Sequence, residues 1–237
     1  MRRNTLTDNS IQLAVIDMAG TTVADDGLVV ASFEAAATAA GLPPADGDER
    51  ERARQYVLDT MGQSKIVVFR ALFGTEELAQ RANAAFEDAY AAAIDDGHAT
   101  PIDGAAEAIT RLRDAGVKVA LTTGFSGTTQ EKLLAALGWQ SIADLVLAPG
   151  DGVRGRPYPD LILTALMRLG VDGVGNVAAL GDTGNDVQSA LRAGCAIAAG
   201  TLTGAHDDER LRAAGATHVV PTVTQFADLI LDHQPKD

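Results

Sequence analysis

Two patterns of apolar and polar positions divide the chain. From residue 103 onward, short apolar runs alternate with amphipathic stretches, which predicts strands and helices in turn. The predicted helices are 103–115, 127–137, 158–169, 184–193, 207–214 and 223–232, and the predicted strands are 117–123, 144–148, 177–182, 195–199 and 217–220. Regular alternation of this kind predicts a parallel sheet with helices on both faces.

The first part of the chain has a different pattern. One apolar strand ends at Asp17, and four stretches of helical periodicity follow at 29–41, 48–60, 65–73 and 75–94. We therefore predict an α/β fold in which a doubly wound parallel-sheet core is interrupted after its first strand by a small all-helical cap. The predicted core comprises residues 1–27 and 97–237, and the predicted cap comprises residues 28–96. Such an insert is expected to close over the strand ends as a lid.

Composition narrows the range of partners. The net charge is −13, and no cluster of Lys and Arg occurs, which opposes binding to nucleic acid. No apolar run approaches the roughly 18 residues of a membrane span, so we expect no membrane association and a cytoplasmic location. Cys195 is the only cysteine and lies in an apolar run, where packing explains it. The four histidines are scattered, so a histidine metal site is not expected.

Two predicted strands end in carboxylates. Asp17 ends the first strand, and Asp182 ends the strand near residue 180, so both are expected at the carboxyl edge of the sheet. Carboxylate oxygens are the ligands that Mg²⁺ takes. We expect Mg²⁺ to be held by Asp17, Asp182 and the backbone carbonyl of Ala19, with Asp17 also acting as the nucleophile.

Other strand ends supply groups for a phosphoryl oxygen. The Thr123 hydroxyl, the Gly124 amide and the Arg156 guanidinium are expected to bind those oxygens. Asp186 follows Asp182 by four residues and is expected to orient Arg156 or a metal-bound water. Phosphoryl transfer needs a nucleophile, neutralised charge and such donors, so these residues indicate phosphoryl chemistry.

These motifs carry a family resemblance that spans nearly the whole chain. The chain resembles the haloacid dehalogenase superfamily of aspartyl-phosphate hydrolases with a helical cap after the first strand. The motifs, in order, are Asp17-x-Ala19-Gly20-Thr21, Thr123, Arg156 and Gly181-Asp182-x-x-x-Asp186. The resemblance implies a Mg²⁺-dependent hydrolase that acts on a small phosphate ester or phosphonate. Capped relatives often dimerise, so a homodimer is possible.

At two positions the chain departs from the usual motifs of the superfamily, and both differences make it similar to the phosphonatase branch of phosphonoacetaldehyde hydrolases. Ala19 stands where most phosphatases have an acid that protonates the leaving oxygen, and Arg156 stands where a lysine is usual. The cap segment that begins at Met61 also resembles that branch, which implies that Met61 lines the substrate site and that Lys65 forms a Schiff base. Cleavage of a carbon–phosphorus bond needs an electron sink, which a lysine imine supplies. Burial near Met61, Ile66 and Phe69 is expected to lower the pKa of Lys65.

Other interpretations remain open at the sequence level. Val68 and Phe125 replace a histidine and a tyrosine expected in phosphonatases, and Asp26-Gly27-Leu28 replaces their cysteine region. One alternative is a phosphatase for a small acidic phosphoester, similar to phosphoglycolate, with Lys65 as an anion anchor. Another is an inactive regulator that binds a phosphorylated ligand. Dehalogenation of a haloacid is a further alternative, although that chemistry does not need Asp182.

Overall fold

The protein is built around a six-stranded parallel sheet. The computed structural model describes residues 10–42 and 47–232, so predictions for residues 1–9, 43–46 and 233–237 lie outside the described residues. The strands are β1 (Leu13–Asp17), β2 (Lys118–Thr122), β3 (Leu145–Leu147), β4 (Val177–Gly181), β5 (Ile197–Thr201) and β6 (His218–Val220). Their spatial order is β3-β2-β1-β4-β5-β6, and every neighbouring pair is parallel. The predicted doubly wound sheet is confirmed.

Ten α-helices accompany the sheet within the described residues. They are α1 (Leu28–Ala39), α2 (Asp48–Asp59), α3 (Lys65–Phe73), α4 (Glu76–Asp95), α5 (Ala105–Asp114), α6 (Gly127–Leu137), α7 (Asp160–Leu169), α8 (Gly184–Ala193), α9 (Asp208–Ala213) and α10 (Val223–Asp232). Six of them, α5–α10, alternate with the strands along the chain. The other four, α1–α4, form an insertion between β1 and α5 in the sequence. The helical insertion after the first strand is thus present, as predicted.

Both faces of the sheet are covered because successive side chains of a strand point to opposite sides. In β1, Ile16 belongs to a large apolar cluster that includes residues of α5 and α10, such as Ile109 and Phe226. Val15 belongs to a second cluster, which includes Leu161 of α7. All five residues of β1 are buried, so Asp17 lies at the end of a strand that runs through the core.

The two connections that join the insertion to the sheet run side by side. The amide of Ala24 donates to the carbonyl of Thr100 at 2.9 Å, and the amide of Ile102 donates to the carbonyl of Thr22 at 2.9 Å. An isolated bridge between Val23 and Pro101 lies between these two bonds. The chain therefore enters and leaves the insertion through a short antiparallel ribbon.

Some predicted boundaries differ from the structure. Strand β5 begins at Ile197, so the predicted start at 195 is wrong. The Cys195 amide instead donates to the Ala190 carbonyl at 3.1 Å and completes the end of α8. Cys195 is half-buried, and burial raises the pKa of its thiol to about 12, which agrees with a packing role. Helix α7 begins at Asp160 rather than at 158, because Pro159 lies at its N-cap position.

Within the described ranges, no helix is both long and apolar enough to span a bilayer.

Candidate active site

The carboxyl ends of the central strands surround a cavity of about 240 Å³. It lies between the sheet edge and the beginning of α3, because Met61 and Lys65 line it together with residues that follow β1, β2 and β4. Most of the residues predicted for the site line this cavity, and Asp186 lies behind it against Arg156. The predicted residues on the cavity wall are Asp17, Ala19, Met61, Lys65, Thr123, Gly124, Arg156 and Asp182.

Arg156 connects the ends of β1 and β2 to the first turn of α8 through one buried guanidinium. Its Nη1 lies 2.6 Å from Asp17 Oδ1, and its Nε lies 2.8 Å from Asp186 Oδ1. Its Nη2 donates to the hydroxyl of Thr122 at 2.6 Å. A planar guanidinium can satisfy three such acceptors at once, whereas a lysine ammonium lacks this fixed fork. The sequence singled out Thr123, and the structure adds Thr122 as the hydroxyl that holds Arg156.

Asp186 is fixed by its own helix. Its Oδ2 accepts hydrogen bonds from the amide and the hydroxyl of Thr183, which completes a capping box at the start of α8. Gly181 packs against this carboxylate, and a Cβ at position 181 would lie 2.2 Å from Asp186 Cγ. The helix cap therefore leaves Oδ1 of Asp186 directed at Arg156, and the orienting role of this residue stays a prediction.

Asp182 is held by backbone groups that the sequence did not reveal. The amide of Ala205 donates to its Oδ2 at 2.7 Å. Gly20 and Gly204 lie against the same carboxylate, because a Cβ at position 20 or 204 would come within 2.4 Å or 2.0 Å of Oδ2. The loop after β5 thus fixes one oxygen of Asp182. Amide donors carry no side-chain signal, so a single sequence could not show this contact.

His206 lies in the same loop. Its amide donates to the Asp182 carbonyl at 3.2 Å, and its Nδ1 accepts a hydrogen bond from the Gly184 amide at 3.0 Å. Among the described residues its Nε2 is buried without a partner, and burial lowers the pKa of the ring. The histidines are scattered in the sequence, but the fold brings His206 next to Asp182, where it supports the loop after β5.

The acids form a cluster suited to a cation. Ligand atoms of Asp17, Asp182 and Asp186 lie within 4.8 Å of one another, and all three residues are buried. Burial raises the pKa of Asp17 to about 6, while Arg156 opposes that shift. Burial also raises the pKa of Asp182 well above its usual range, and repulsion from Asp17 and Asp186 adds to the effect. Since one guanidinium does not balance three carboxylates, the cluster fits a divalent metal ion with oxygen ligands.

Lys65 places a buried amine on the wall of the same cavity. Lys65 is the first residue of α3. Its Nζ lies 5.4 Å from the ring centroid of Phe125 and 5.8 Å from that of Phe86. Burial lowers its pKa from the usual 10.5 to about 8, while Asp25 opposes that shift. The predicted apolar setting exists, but these two rings supply much of it. Ile66 lines a neighbouring cavity instead.

Close backbone contacts join the beginning of α3 to the sheet edge. The amide of Lys65 donates to the carbonyl of Gly124 at 3.3 Å, and a Cβ at position 124 would lie 2.6 Å from the Gln63 carbonyl. The carbonyl of Met61 accepts a 2.7 Å hydrogen bond from the Asn185 side chain. These contacts place Met61 and Lys65 above the acid cluster.

Thr123 and the residues after it complete this wall. The Thr123 hydroxyl accepts a hydrogen bond from the Phe125 amide at 3.1 Å, which holds the turn after β2. The Phe125 ring contacts Tyr90 of α4, with a distance of 4.5 Å between ring centroids. Phe125 therefore links the sheet edge to the aromatic core of the helical insertion.

A doubly wound parallel sheet with acids and an arginine at its carboxyl edge defines an α/β enzyme whose site lies at the strand ends. The chain belongs to the haloacid dehalogenase-like hydrolase family, whose profile matches residues 11–194.

Within this family, the chain is similar to proteins named phosphonoacetaldehyde hydrolase. A phosphonoacetaldehyde hydrolase from Nitratidesulfovibrio vulgaris is 28% identical over 81% of this chain and 72% of its own length. One from Bacillus cereus strain ATCC 14579 is 37% identical over 41% of this chain, which matches only 37% of that relative's length. The solved structure of a phosphonoacetaldehyde hydrolase-like protein from Oleispira antarctica superimposes with a TM-score of 0.81 at 22% identity, covering 98% of this chain and 96% of the other.

Proposed function

We propose that the protein is a Mg²⁺-dependent hydrolase that cleaves the carbon–phosphorus bond of a small aldehyde phosphonate of the phosphonoacetaldehyde type. The observation that carries the proposal is a buried amine, Lys65, with a pKa lowered to about 8, in the cavity that also contains Asp17. The named relatives support the same substrate class. We further propose that residues 28–96 act as a cap domain that closes the cavity.

Asp17 is the nucleophile in this proposal. One of its carboxylate oxygens attacks phosphorus and forms an acyl phosphate, which water later hydrolyses. Arg156 lies 2.6 Å from Asp17, so its guanidinium can neutralise charge on the transferring oxygens. Thr123 and the Gly124 amide complete the phosphoryl pocket. Mg²⁺, held by Asp17, Asp182 and the carbonyl of Ala19, would offset repulsion between the carboxylate and the anionic substrate.

Lys65 supplies the electron sink. Its neutral amine adds to the aldehyde carbon, and loss of water gives a protonated imine. When the carbon–phosphorus bond breaks, its electron pair moves into the imine and produces an enamine, while phosphorus bonds to Asp17. No alkoxide leaves, so the absence of an acid at Ala19 is consistent with this reaction. An amine with a pKa of about 8 is about one-tenth neutral at pH 7, whereas an amine with the usual pKa of 10.5 is almost entirely protonated there.

A second function is favoured by the same pKa. At pH 7 an amine with a pKa of about 8 is still mostly protonated, so Lys65 can also bind a substrate carboxylate. In that case the protein would be a phosphatase for a small acidic phosphoester such as phosphoglycolate.

Borohydride trapping separates the two functions. The protein is incubated with Mg²⁺ and phosphonoacetaldehyde, reduced with borohydride and analysed by peptide mass spectrometry, while released phosphate is measured in parallel. The phosphonatase proposal predicts an adduct on Lys65 and phosphate release, and Lys65→Arg provides a matched cation that cannot form an imine. Turnover of phosphoglycolate without any adduct on Lys65 would instead establish the phosphatase.

A further inference from the structure

Asp25 is a carboxylate of the cavity wall to which the proposed function gives no role. It lies in the connection between β1 and α1, is half-buried, and lines the same 240 Å³ cavity as Lys65. The acids Asp17 and Asp182 serve the phosphoryl end of that cavity. Asp25 is therefore a carboxylate that the cavity offers in addition to those of the metal cluster.

The structure fixes the position of Asp25. Its Oδ1 accepts a hydrogen bond from the Val29 amide at 3.2 Å, and its carbonyl accepts one from the Leu28 amide at 2.7 Å. Both donors belong to the first turn of α1, whose N-cap is Gly27. These bonds orient the carboxylate without neutralising it.

Lys65 is coupled to Asp25 electrostatically. Among the charged groups, Asp25 acts most strongly on the pKa of Lys65 and raises it against the effect of burial. Burial raises the pKa of Asp25 in turn, while the Val29 amide and Lys65 oppose that shift. The other titratable groups whose charges couple to this pair are Asp26 in the same connection, Tyr90 of α4, Asp17, Arg156 and Asp182. A carboxylate next to a buried amine is suited to exchanging protons with a group bound between them.

Imine formation requires such an exchange. The carbonyl oxygen must leave as water, so a nearby group has to protonate it. Val68 and Phe125 also lie near Lys65 in the fold, but both are apolar and buried. Besides Asp17 and Asp182, two carboxylates line the cavity, Asp25 and Asp26, and Asp25 is the half-buried one whose charge acts most strongly on Lys65.

We infer that Asp25 is the acid that protonates the departing carbonyl oxygen when Lys65 forms its imine with an aldehyde phosphonate. This inference rests on the proposed function and assigns the proton transfer within it. The amine nitrogen bonds to the aldehyde carbon, and a proton moves from nitrogen to the former carbonyl oxygen. Asp25 then gives a second proton to that hydroxyl, the carbon–oxygen bond breaks, and water leaves. The products are a protonated imine, one water and ionised Asp25.

The test compares Asp25→Asn with Asp26→Asn. The asparagine at position 25 keeps a side-chain oxygen for the Val29 amide but carries no exchangeable acidic proton. Asp26 also lines the cavity but is exposed, so it tests whether any carboxylate of this wall suffices, and its φ of 42° is a conformation that asparagine tolerates. Each variant is mixed with Mg²⁺ and phosphonoacetaldehyde, and the rate of the borohydride-trapped adduct on Lys65 is measured by mass spectrometry.

We expect the trapping rate of Asp25→Asn to fall about 100-fold, the scale of general acid catalysis, and that of Asp26→Asn to stay within twofold of the unmodified protein. Binding of inorganic phosphate in the presence of Mg²⁺ should be unchanged in both variants. A trapping rate for Asp25→Asn within twofold of the unmodified protein would overturn the inference. If the unmodified protein forms no adduct at all, the proposed function fails as well.

A second measurement does not depend on turnover. The pKa of Lys65 is obtained from the pH dependence of its modification by an amine-specific reagent, with peptides quantified by mass spectrometry. Loss of the negative charge in Asp25→Asn should lower the pKa of Lys65, because Asp25 stabilises the ammonium form. Asp26→Asn should leave that pKa near its original value. An unchanged pKa in Asp25→Asn would contradict the electrostatic coupling on which the inference depends.

Discussion

Arg156 and Asp17 form a buried ion pair with 2.6 Å between Nη1 and Oδ1, and the same guanidinium binds Asp186 through Nε. One side chain thereby fixes the acid at the end of β1 relative to the acid in α8. The pairing keeps the proposed nucleophile in a single orientation.

Replacing Arg156 by lysine should preserve the positive charge but remove the planar guanidinium that contacts both acids at once. We expect Arg156→Lys to lower kcat about 100-fold, the scale seen when one preorganised donor is lost. Phosphate release from the preferred substrate gives the measurement. Arg154→Lys is the control, because Arg154 is exposed and pairs with Asp160. A kcat within threefold of the unmodified protein in Arg156→Lys would show that the fork is not needed.

Asp17→Asn tests the nucleophile directly. The amide is nearly isosteric and a poor nucleophile, so we expect loss of turnover to the detection limit with an unchanged circular dichroism spectrum. Incorporation of beryllium fluoride in the presence of Mg²⁺ should be lost in parallel. Turnover that persists in this variant would rule out a phosphorylated Asp17.

Gly204→Ala tests how the loop after β5 supports Asp182. The new Cβ would lie 2.0 Å from Asp182 Oδ2, so the carboxylate or the loop must move. We expect the Mg²⁺ concentration for half-maximal activity to rise about tenfold or more, the scale reported when a group that supports a metal ligand is lost. Gly175→Ala is the control, since a Cβ at position 175 meets no atom within 4 Å. An unchanged Mg²⁺ requirement in Gly204→Ala would contradict this role for the loop.

Lys65 should make the folded protein less stable at neutral pH. A fall in its pKa from 10.5 to about 8 corresponds to a cost on the order of 3 kcal/mol while the amine is protonated in both states. Below pH 8 the folded state bears this cost fully, and above pH 10.5 the amine is neutral in both states and the cost disappears. We expect Lys65→Met to raise the free energy of unfolding at pH 7 and to lose that advantage as the pH approaches 10.5.

Urea unfolding at both pH values measures the effect. Lys132→Met is a suitable control, because Lys132 is partly exposed and pairs with Asp95 on the surface. A Lys65→Met variant that is less stable than the unmodified protein at pH 7 would contradict the effect of burial on Lys65.

The rate of imine trapping should also follow the charge of Lys65. Only the neutral amine attacks an aldehyde, and its fraction rises with pH through a pKa of about 8. In Asp25→Asn, where the side chain at position 25 no longer titrates, we therefore expect the trapping rate to increase from pH 6 to a plateau above roughly pH 9, at least one unit beyond that pKa. A rate that is independent of pH across this range would mean that another step limits trapping.

The sequence predicted the sheet and the acids at its edge for the same physical reason. Buried parallel strands appear as continuous apolar runs, and the residue after each run lies at the carboxyl edge, as Asp17 and Asp182 do. The ends of helices and strands are harder to predict where alanine is abundant, because alanine is common in both kinds of element in this chain. Gly194 ends α8 in a left-handed conformation, but the apolar run after it contains no turn residue to show that β5 begins at Ile197 rather than at Cys195.

The remaining features of the site depend on contacts between residues that are distant in sequence. Phe86 reaches Lys65 only because α4 packs beside α3, and the Ala205 amide reaches Asp182 only because β5 pairs with β4. In the sequence, Asp25 lies in the short polar segment 24–27, which carries no motif of its own. Its position in the cavity depends on the packing of the insertion against the sheet, which periodicity does not report.

The ribbon formed by residues 22–24 and 100–102 limits how the inserted helices can move relative to the strands. Because the two chain segments are hydrogen-bonded to each other, they must bend together, and any reorientation of α1–α4 has to turn about this single paired segment. Lys65 and Met61 belong to one continuous stretch of the inserted chain, so such a turn would withdraw both from Asp17 at the same time. Access for a substrate and separation of the amine from the nucleophile would then be one event.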